Sequence, residues 1–174
     1  MLIRSEETYQ SILGLRTVRK FRTEQVSDSD LQQILEAARW TGSSKNRQSW
    51  TFVVIREREQ LNRLASCGDF TVPIRNAPLV IAPVMHPDGY EWDMGRVAHN
   101  IMLAASAIGV GSCPITLHRD ESARDILGLP ADHTCRYVVA LGYPDEEAEQ
   151  SGRTASPMGG RRTLDDLVRY ERFS

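Results

Sequence analysis

Ala77-Pro78-Leu79-Val80-Ile81-Ala82-Pro83-Val84-Met85, followed after a short polar turn by Asp93 to Ile108, decides the fold. The first stretch is an unbroken apolar run of strand length framed by Pro78 and Pro87, and it reads as a strand. In the second, Met94, Val97, Ile101, Ala104, Ala105 and Ile108 fall on one helical seam, with Asp93 placed to cap its start. The small residues on that seam permit close packing against another helix. A strand feeding a helix is also how dinucleotide-binding units begin, but the chain carries no regular glycine signature between strand and helix. The expectation is therefore an α+β layered domain rather than a doubly wound one.

Working outward, Glu6 to Leu13 reads as a helix. Ser27-Asp28-Ser29-Asp30 offers a capping-box start to a second, whose apolar positions Leu31, Ile34, Leu35 and Ala38 keep the helical period until about Thr41-Gly42. Thr51 to Ile55 is β-branched and aromatic and reads as a strand, with a helix over Glu57 to Ala65 behind it. A third strand is expected at Cys113 to Leu117, a short helix at Glu121 to Leu127, a fourth strand at Tyr137 to Leu141 and a last helix at Thr163 to Val168. No repeat, low-complexity run or long linker divides the chain, so residues 1–174 read as a single domain.

The 174 residues, 41% apolar and 25% charged, suffice for one core without disulfide or metal staples. Twenty-one basic against twenty-three acidic side chains give a net charge of −2, which leaves no field to collect polyanions and argues against nucleic acid as a partner. The longest apolar runs fall short of the roughly 18 to 20 residues a membrane span needs. Met1 to Glu7 turns polar at once, without the apolar region of a secretory signal, and the expected location is cytoplasmic. Cys67, Cys113 and Cys135 form no CxxC pair and no metal-ligand cluster with the histidines, and read as reduced core thiols.

Three segments carry candidate chemistry. Leu15-Arg16-Thr17-Val18-Arg19-Lys20-Phe21 concentrates guanidinium groups and a hydroxyl, the donor set a phosphate dianion requires, although a solvated basic turn has the same composition. Gly42-Ser43-Ser44-Lys45-Asn46-Arg47-Gln48-Ser49-Trp50 is a polar loop between an amphipathic helix and an apolar strand. Its alternating donors and acceptors suit the edge of a heteroaromatic ring or a polyol. Trp50, at the strand entrance, reads as a core anchor. Gly159-Gly160-Arg161-Arg162 presents two more guanidinium groups near the C-terminus and fits either an anion site or a basic tail.

Taken together, these segments resemble the flavin-dependent nitroreductase family. The resemblance rests on Arg16 to Phe21, Ser43 to Trp50, Asp93 to Ala105 with Asn100, Gly109-Val110-Gly111-Ser112-Cys113, Leu141-Gly142-Tyr143-Pro144 and Arg161-Arg162-Thr163-Leu164, in that order and spacing. It implies a central, mostly antiparallel sheet flanked by helices, and an intertwined homodimer with FMN at the interface. It further implies that Arg16, Thr17, Arg19 and either Arg161 or Arg162 hold the flavin phosphate and ribityl chain. Ser43, Ser44, Asn46 and Gln48 would reach the FMN bound chiefly by the partner subunit. Pro114, Ile115, Thr116 and Leu117 would lie along the isoalloxazine, with a backbone N–H addressing N5. Thr116 departs from the family, standing where larger members often carry an acidic residue.

What the resemblance implies chemically is hydride transfer from NAD(P)H, the co-substrate, through flavin N5 to a nitroaromatic, a quinone or a similar small-molecule acceptor by a ping-pong route. The flavin carries the reaction and the protein binds and tunes it, which suits a chain without an evident nucleophile or acid–base pair. A cation beside N1 and C2=O, Lys45 or one of the arginines, would favour two-electron reduction. A protein that binds or stores FMN with little turnover is the alternative.

Overall fold

A computed structural model of the chain describes residues 4–151 and 160–173. Its centre is a four-stranded sheet in the order β1-β2-β4-β3, with β1 at Trp50–Ile55, β2 at Leu79–Met85, β3 at Gly111–Thr116 and β4 at Tyr137–Gly142. Every neighbouring pair is antiparallel, with Val53 opposite Ala82, Val80 opposite Ala140 and Cys113 opposite Ala140. No parallel crossover occurs in this sheet, which agrees with the α+β reading.

Both faces of the sheet are covered. On one, α2 (Asp28–Arg39) and α5 (Glu91–Ala107) bring Ile34, Ala38, Met94, Val97, Ile101 and Ala105 against Leu79, Ile81, Val139 and Leu141. On the other, α3 (Arg58–Ala65), α4 (Val72–Asn76) and α6 (Asp120–Leu127) bring Leu61, Leu64, Ile74 and Ala123 against Val80, Ala82, Cys113, Ile115 and Val138. Burial on both faces explains why β2 shows no polar alternation. Trp50 is buried among the α2 and α5 side chains, as its position at the strand entrance predicted.

The helix ends follow local chemistry. Ser27 Oγ accepts the Asp30 N–H at 3.1 Å, and the Glu57 carboxylate accepts the N–H groups of Glu59 and Gln60. The Asp93 cap is corrected: α5 starts at Glu91 with Tyr90 extended before it, and the Tyr90 carbonyl accepts the N–H groups of Asp93 and Met94. Asp93 instead lies inside the first turn, where a carboxylate still favours the positive helix end, 3.5 Å from Arg96. Two short helices, α4 and α7 (Glu146–Ser151), join those expected, while the last expected helix is present as α8 (Leu164–Leu167), started by a Thr163–Asp166 capping box. The first helix, α1, spans Glu6–Gly14.

A strap over residues 16–22 lies along the outer edge of β3 and across the end of β4. Val18 N–H donates to Ser112 O at 2.9 Å, and Arg22 N–H to Tyr143 O at 2.9 Å. Gly111 and Gly142, opposite one another in the β3–β4 register, make this approach possible. A Cβ at Gly111 would sit 2.9 Å from Val18 Cβ, and one at Gly142 2.9 Å from Phe21 Cβ. The Glu149 carboxylate of α7 accepts the N–H groups of both Arg19 and Lys20 and fastens the strap from outside.

All three cysteines are free and buried. Burial pushes the Cys113 thiol up to about 11 and the Cys135 thiol up to about 12, and it raises Cys67 as well. A folded-state pKa above the unfolded value favours the fold while the thiol is neutral. That stability is complete below the ordinary thiol range and is lost as pH climbs through it toward the folded values. Urea midpoints measured against pH are expected to fall across this alkaline window. The fall should be shallower in Cys113→Ala and Cys135→Ala than in the parent protein, and equal slopes would contradict the assignment.

Candidate functional site

Beside the strap, the end of β3 and the loop between α3 and α4 enclose a cavity of about 470 Å3, within the range of small-molecule sites. Arg19, Cys113, Pro114, Ile115 and Thr116 form one side, and Asp69, Phe70, Val72, Pro73 and His118 the other. Among the described residues no group of three or more His, Cys, Asp or Glu is placed to hold a metal ion, and no helix is long and apolar enough to cross a membrane.

The register determines which backbone groups face the cavity. Leu117 N–H donates to Arg136 O at 2.8 Å, so Leu117 and Arg136 are a hydrogen-bonded pair. In an antiparallel ladder the next residue on each strand is then a non-bonded pair whose N–H and C=O point away from the partner. Thr116, opposite Tyr137, is such a residue, as is Ser112, whose carbonyl is the one taken by the strap. Pro114 shares this outward position and has no N–H. Thr116 N–H is therefore the one outward donor between Pro114 and Leu117. Leu117 itself is buried, its side chain in the core and its N–H committed to Arg136 O just ahead of β4.

The other sequence candidates are distributed more widely. Thr17 is half-buried on the strap; Arg16 is exposed, its guanidinium donating to the carbonyls of Leu13 and Leu15 at the end of α1. Ser43, Ser44, Asn46 and Gln48 do not line the cavity. Their loop is tightly wound: Ser43 Oγ accepts the Gln48 N–H at 2.9 Å, and Lys45, Asn46 and Gln48 all have positive φ. Left-handed geometry costs a non-glycine residue roughly 1 kcal/mol or more, so the loop stores strain. Arg161 and Arg162 lie on an exposed segment, where Arg162 donates to Asp166 O at 2.9 Å; Gly159 is outside the described residues.

Asp69, Phe70, Val72, Pro73 and His118 were not singled out as ligand-binding from the sequence. They reach the cavity because Gly68 lets the α3–α4 loop pack on β3: a Cβ there would stand 2.8 Å from Thr116 O. The legible signals were Gly68 and an aromatic between polar residues. The Asp69 carboxylate pairs with Arg119 at 2.8 Å, and that guanidinium holds it below the usual carboxylate range. Of the remaining histidines, His86 bonds Thr51 Oγ1 at 2.8 Å and His133 bonds Asp132 at 2.8 Å, both outside the cavity lining.

The Nitroreductase family model matches residues 12–68 and 72–143. A protein of Archaeoglobus fulgidus, provisionally named an NADH dehydrogenase/NAD(P)H nitroreductase, is 33% identical over 83% of this chain and 89% of its own. The NADPH-flavin oxidoreductase of Vibrio harveyi is 28% identical over 94% of this chain and 79% of its own. Among solved structures, a provisionally assigned nitroreductase from Desulfovibrio desulfuricans, crystallised in complex with FMN, superposes with a TM-score of 0.83 at 26% identity, over 98% of this chain and 100% of that one. The all-antiparallel sheet, the strap and the matched span agree: the chain belongs to the nitroreductase family.

Proposed function

We propose that this protein is an FMN-dependent oxidoreductase that takes hydride from NAD(P)H and passes it to a nitroaromatic, quinone or similar acceptor. The observation that carries the reading is the outward Thr116 N–H beside Arg19 in one cavity, in a chain of this family. The donor set suits a flavin. An edge N–H meets a ring nitrogen, Pro114 and Ile115 offer an apolar surface to the ring, and a guanidinium supplies positive charge where reduction adds negative charge. When bound, FMN supplies the hydride chemistry.

The chain's own residues then have distinct tasks. Arg19, which shares the cavity with Thr116, is the cation proposed for the N1 and C2=O side; Lys45, the other candidate, is not part of the lining. Arg16, Thr17 and one of Arg161 and Arg162 serve the phosphate and ribityl chain. Glu149 fixes the strap from which Arg16, Thr17 and Arg19 project.

A homodimer completes the proposed site. No residue of α1 is buried, although Tyr9, Ile12 and Leu13 are apolar and at least half exposed. The segment 160–173 likewise has every side chain exposed, with Tyr170 at 86% and Phe173 at 94%. Surfaces of this kind call for a partner. A second copy would cover them and bring its Ser43, Ser44, Asn46 and Gln48 to this chain's cofactor, a use for the strain held in that loop.

Thr116→Pro tests the backbone donor directly. Proline is tolerated on an edge strand whose N–H points outward, and Pro114 already occupies the equivalent position. The variant is expected to keep its thermal midpoint and still bind FMN. Loss of the N–H should slow anaerobic flavin reduction by NAD(P)H about 10-fold, the equivalent of one hydrogen bond of roughly 1.4 kcal/mol. An unchanged rate would remove Thr116 from the site.

A further inference from the structure

The family match is interrupted between residues 68 and 72, and this interval supplies Asp69 and Phe70 to the cavity wall. Phe70 is 81% exposed, and its ring meets that of His118 edge to face, with centroids 6.5 Å apart and an interplanar angle of 67°. An aromatic this open at a cavity mouth offers a platform for another ring.

His118 is held in a defined way. Its backbone N–H donates to Cys67 O at 2.8 Å, and its ring Nδ1 accepts the Asp69 backbone N–H at 3.2 Å. A backbone N–H can only donate, so Nδ1 is the acceptor and the proton of the neutral imidazole resides on Nε2. The Asp69 carboxylate, 3.8 Å from Nδ1, is committed to Arg119 at 2.8 Å and does not displace that backbone donor. Nε2–H has no hydrogen-bond partner among the described residues. The cavity wall thus combines an open aromatic face with an N–H donor of fixed tautomer.

We propose that His118, through Nε2–H, donates a hydrogen bond to a carbonyl or nitro oxygen of the acceptor while Phe70 packs against the acceptor's ring. The inference rests on the function proposed above and narrows its acceptor class to aromatic or quinonoid molecules bearing such an oxygen. In quinone reduction the acceptor receives a hydride, and with it two electrons, from the reduced flavin, which is thereby oxidised. Negative charge gathers on the oxygen facing Nε2–H, and a proton from water completes the hydroquinone. His118 keeps its proton throughout. The hydrogen bond strengthens as charge develops, so its effect falls on the rate.

The test uses FMN-loaded protein whose flavin is reduced by light, mixed anaerobically with 1,4-benzoquinone or with ferricyanide. Ferricyanide takes single electrons and has no carbonyl or nitro oxygen to accept the bond. His118→Phe, which keeps a ring against Phe70, is expected to slow oxidation by benzoquinone about 10- to 100-fold and to leave ferricyanide within about twofold. Equal slowing with both oxidants, or none with benzoquinone, overturns the proposal. Nitrogen-15 imidazole NMR of the protein without flavin is a second readout: it is expected to place the His118 proton on Nε2, and a proton on Nδ1 overturns the proposal irrespective of turnover. Photoreduction makes the comparison independent of the hydride donor, so a parent protein that NAD(P)H fails to reduce counts against the proposed function and not against His118.

Discussion

Arg19→Ala is expected to raise the dissociation constant for FMN about 10- to 150-fold, the equivalent of roughly 1.5 to 3 kcal/mol for a hydrogen bond to a charged group. Arg19 lines the cavity together with Pro114, Ile115 and Thr116, and the Glu149 carboxylate holds its backbone in place. Its backbone is thus fixed before any ligand arrives. The side chain is exposed, so its removal leaves no hole in the core and the thermal midpoint without FMN should hardly move. Arg19→Lys keeps the charge and loses the planar fork, and should fall between parent and Ala variant. Fluorescence titration of FMN measures all three proteins. Equal affinities across the series would place the cation elsewhere.

Ile81→Ala should destabilise the fold by about 2 to 5 kcal/mol, the range for removing a buried branched side chain when its surroundings close only in part. Ile81 is fully buried on β2, between β1 and β4 in the sheet and packed within the cluster formed with α2 and α5. Four neighbouring elements, β1, β4, α2 and α5, therefore share the cavity left behind, and none can fill it without leaving its own packing. Val54→Ala is the control: Val54 is partly exposed on the edge strand and should cost far less. Urea unfolding of the two variants compares them, and similar midpoints would contradict the packing described.

Legibility in the sequence followed period. The strands and α2 stood out because their apolar residues either alternate with nothing or recur at helical spacing. Those patterns survive burial on both faces of the sheet. α7 was missed because Glu146-Glu147-Ala148-Glu149-Gln150-Ser151 has no apolar stripe, and α4 because Val72-Pro73-Ile74-Arg75-Asn76 is too short to show a period. Yet α7 carries Glu149, the side chain that fastens the strap. A polar helix that acts through a single carboxylate leaves no mark in hydrophobic patterning.

The candidate site divides in the same way. Arg19, Pro114, Ile115 and Thr116, distant in sequence, meet in one cavity because the strap runs along β3. The outward direction of the Thr116 N–H depends on register, which composition does not reveal. Asp69, Phe70 and His118 depend on loop packing at Gly68, and of the positive-φ residues Lys45, Asn46 and Gln48 only Asn46 is of a type that favours that geometry.

The most direct test of the account is the visible absorption spectrum of the purified, FMN-loaded protein under anaerobic conditions, recorded before NADPH, after NADPH and after addition of benzoquinone. Oxidised-flavin bands that bleach with NADPH and return with the quinone are the expected result. Bands that persist through NADPH, or a protein that takes up no FMN, would contradict it.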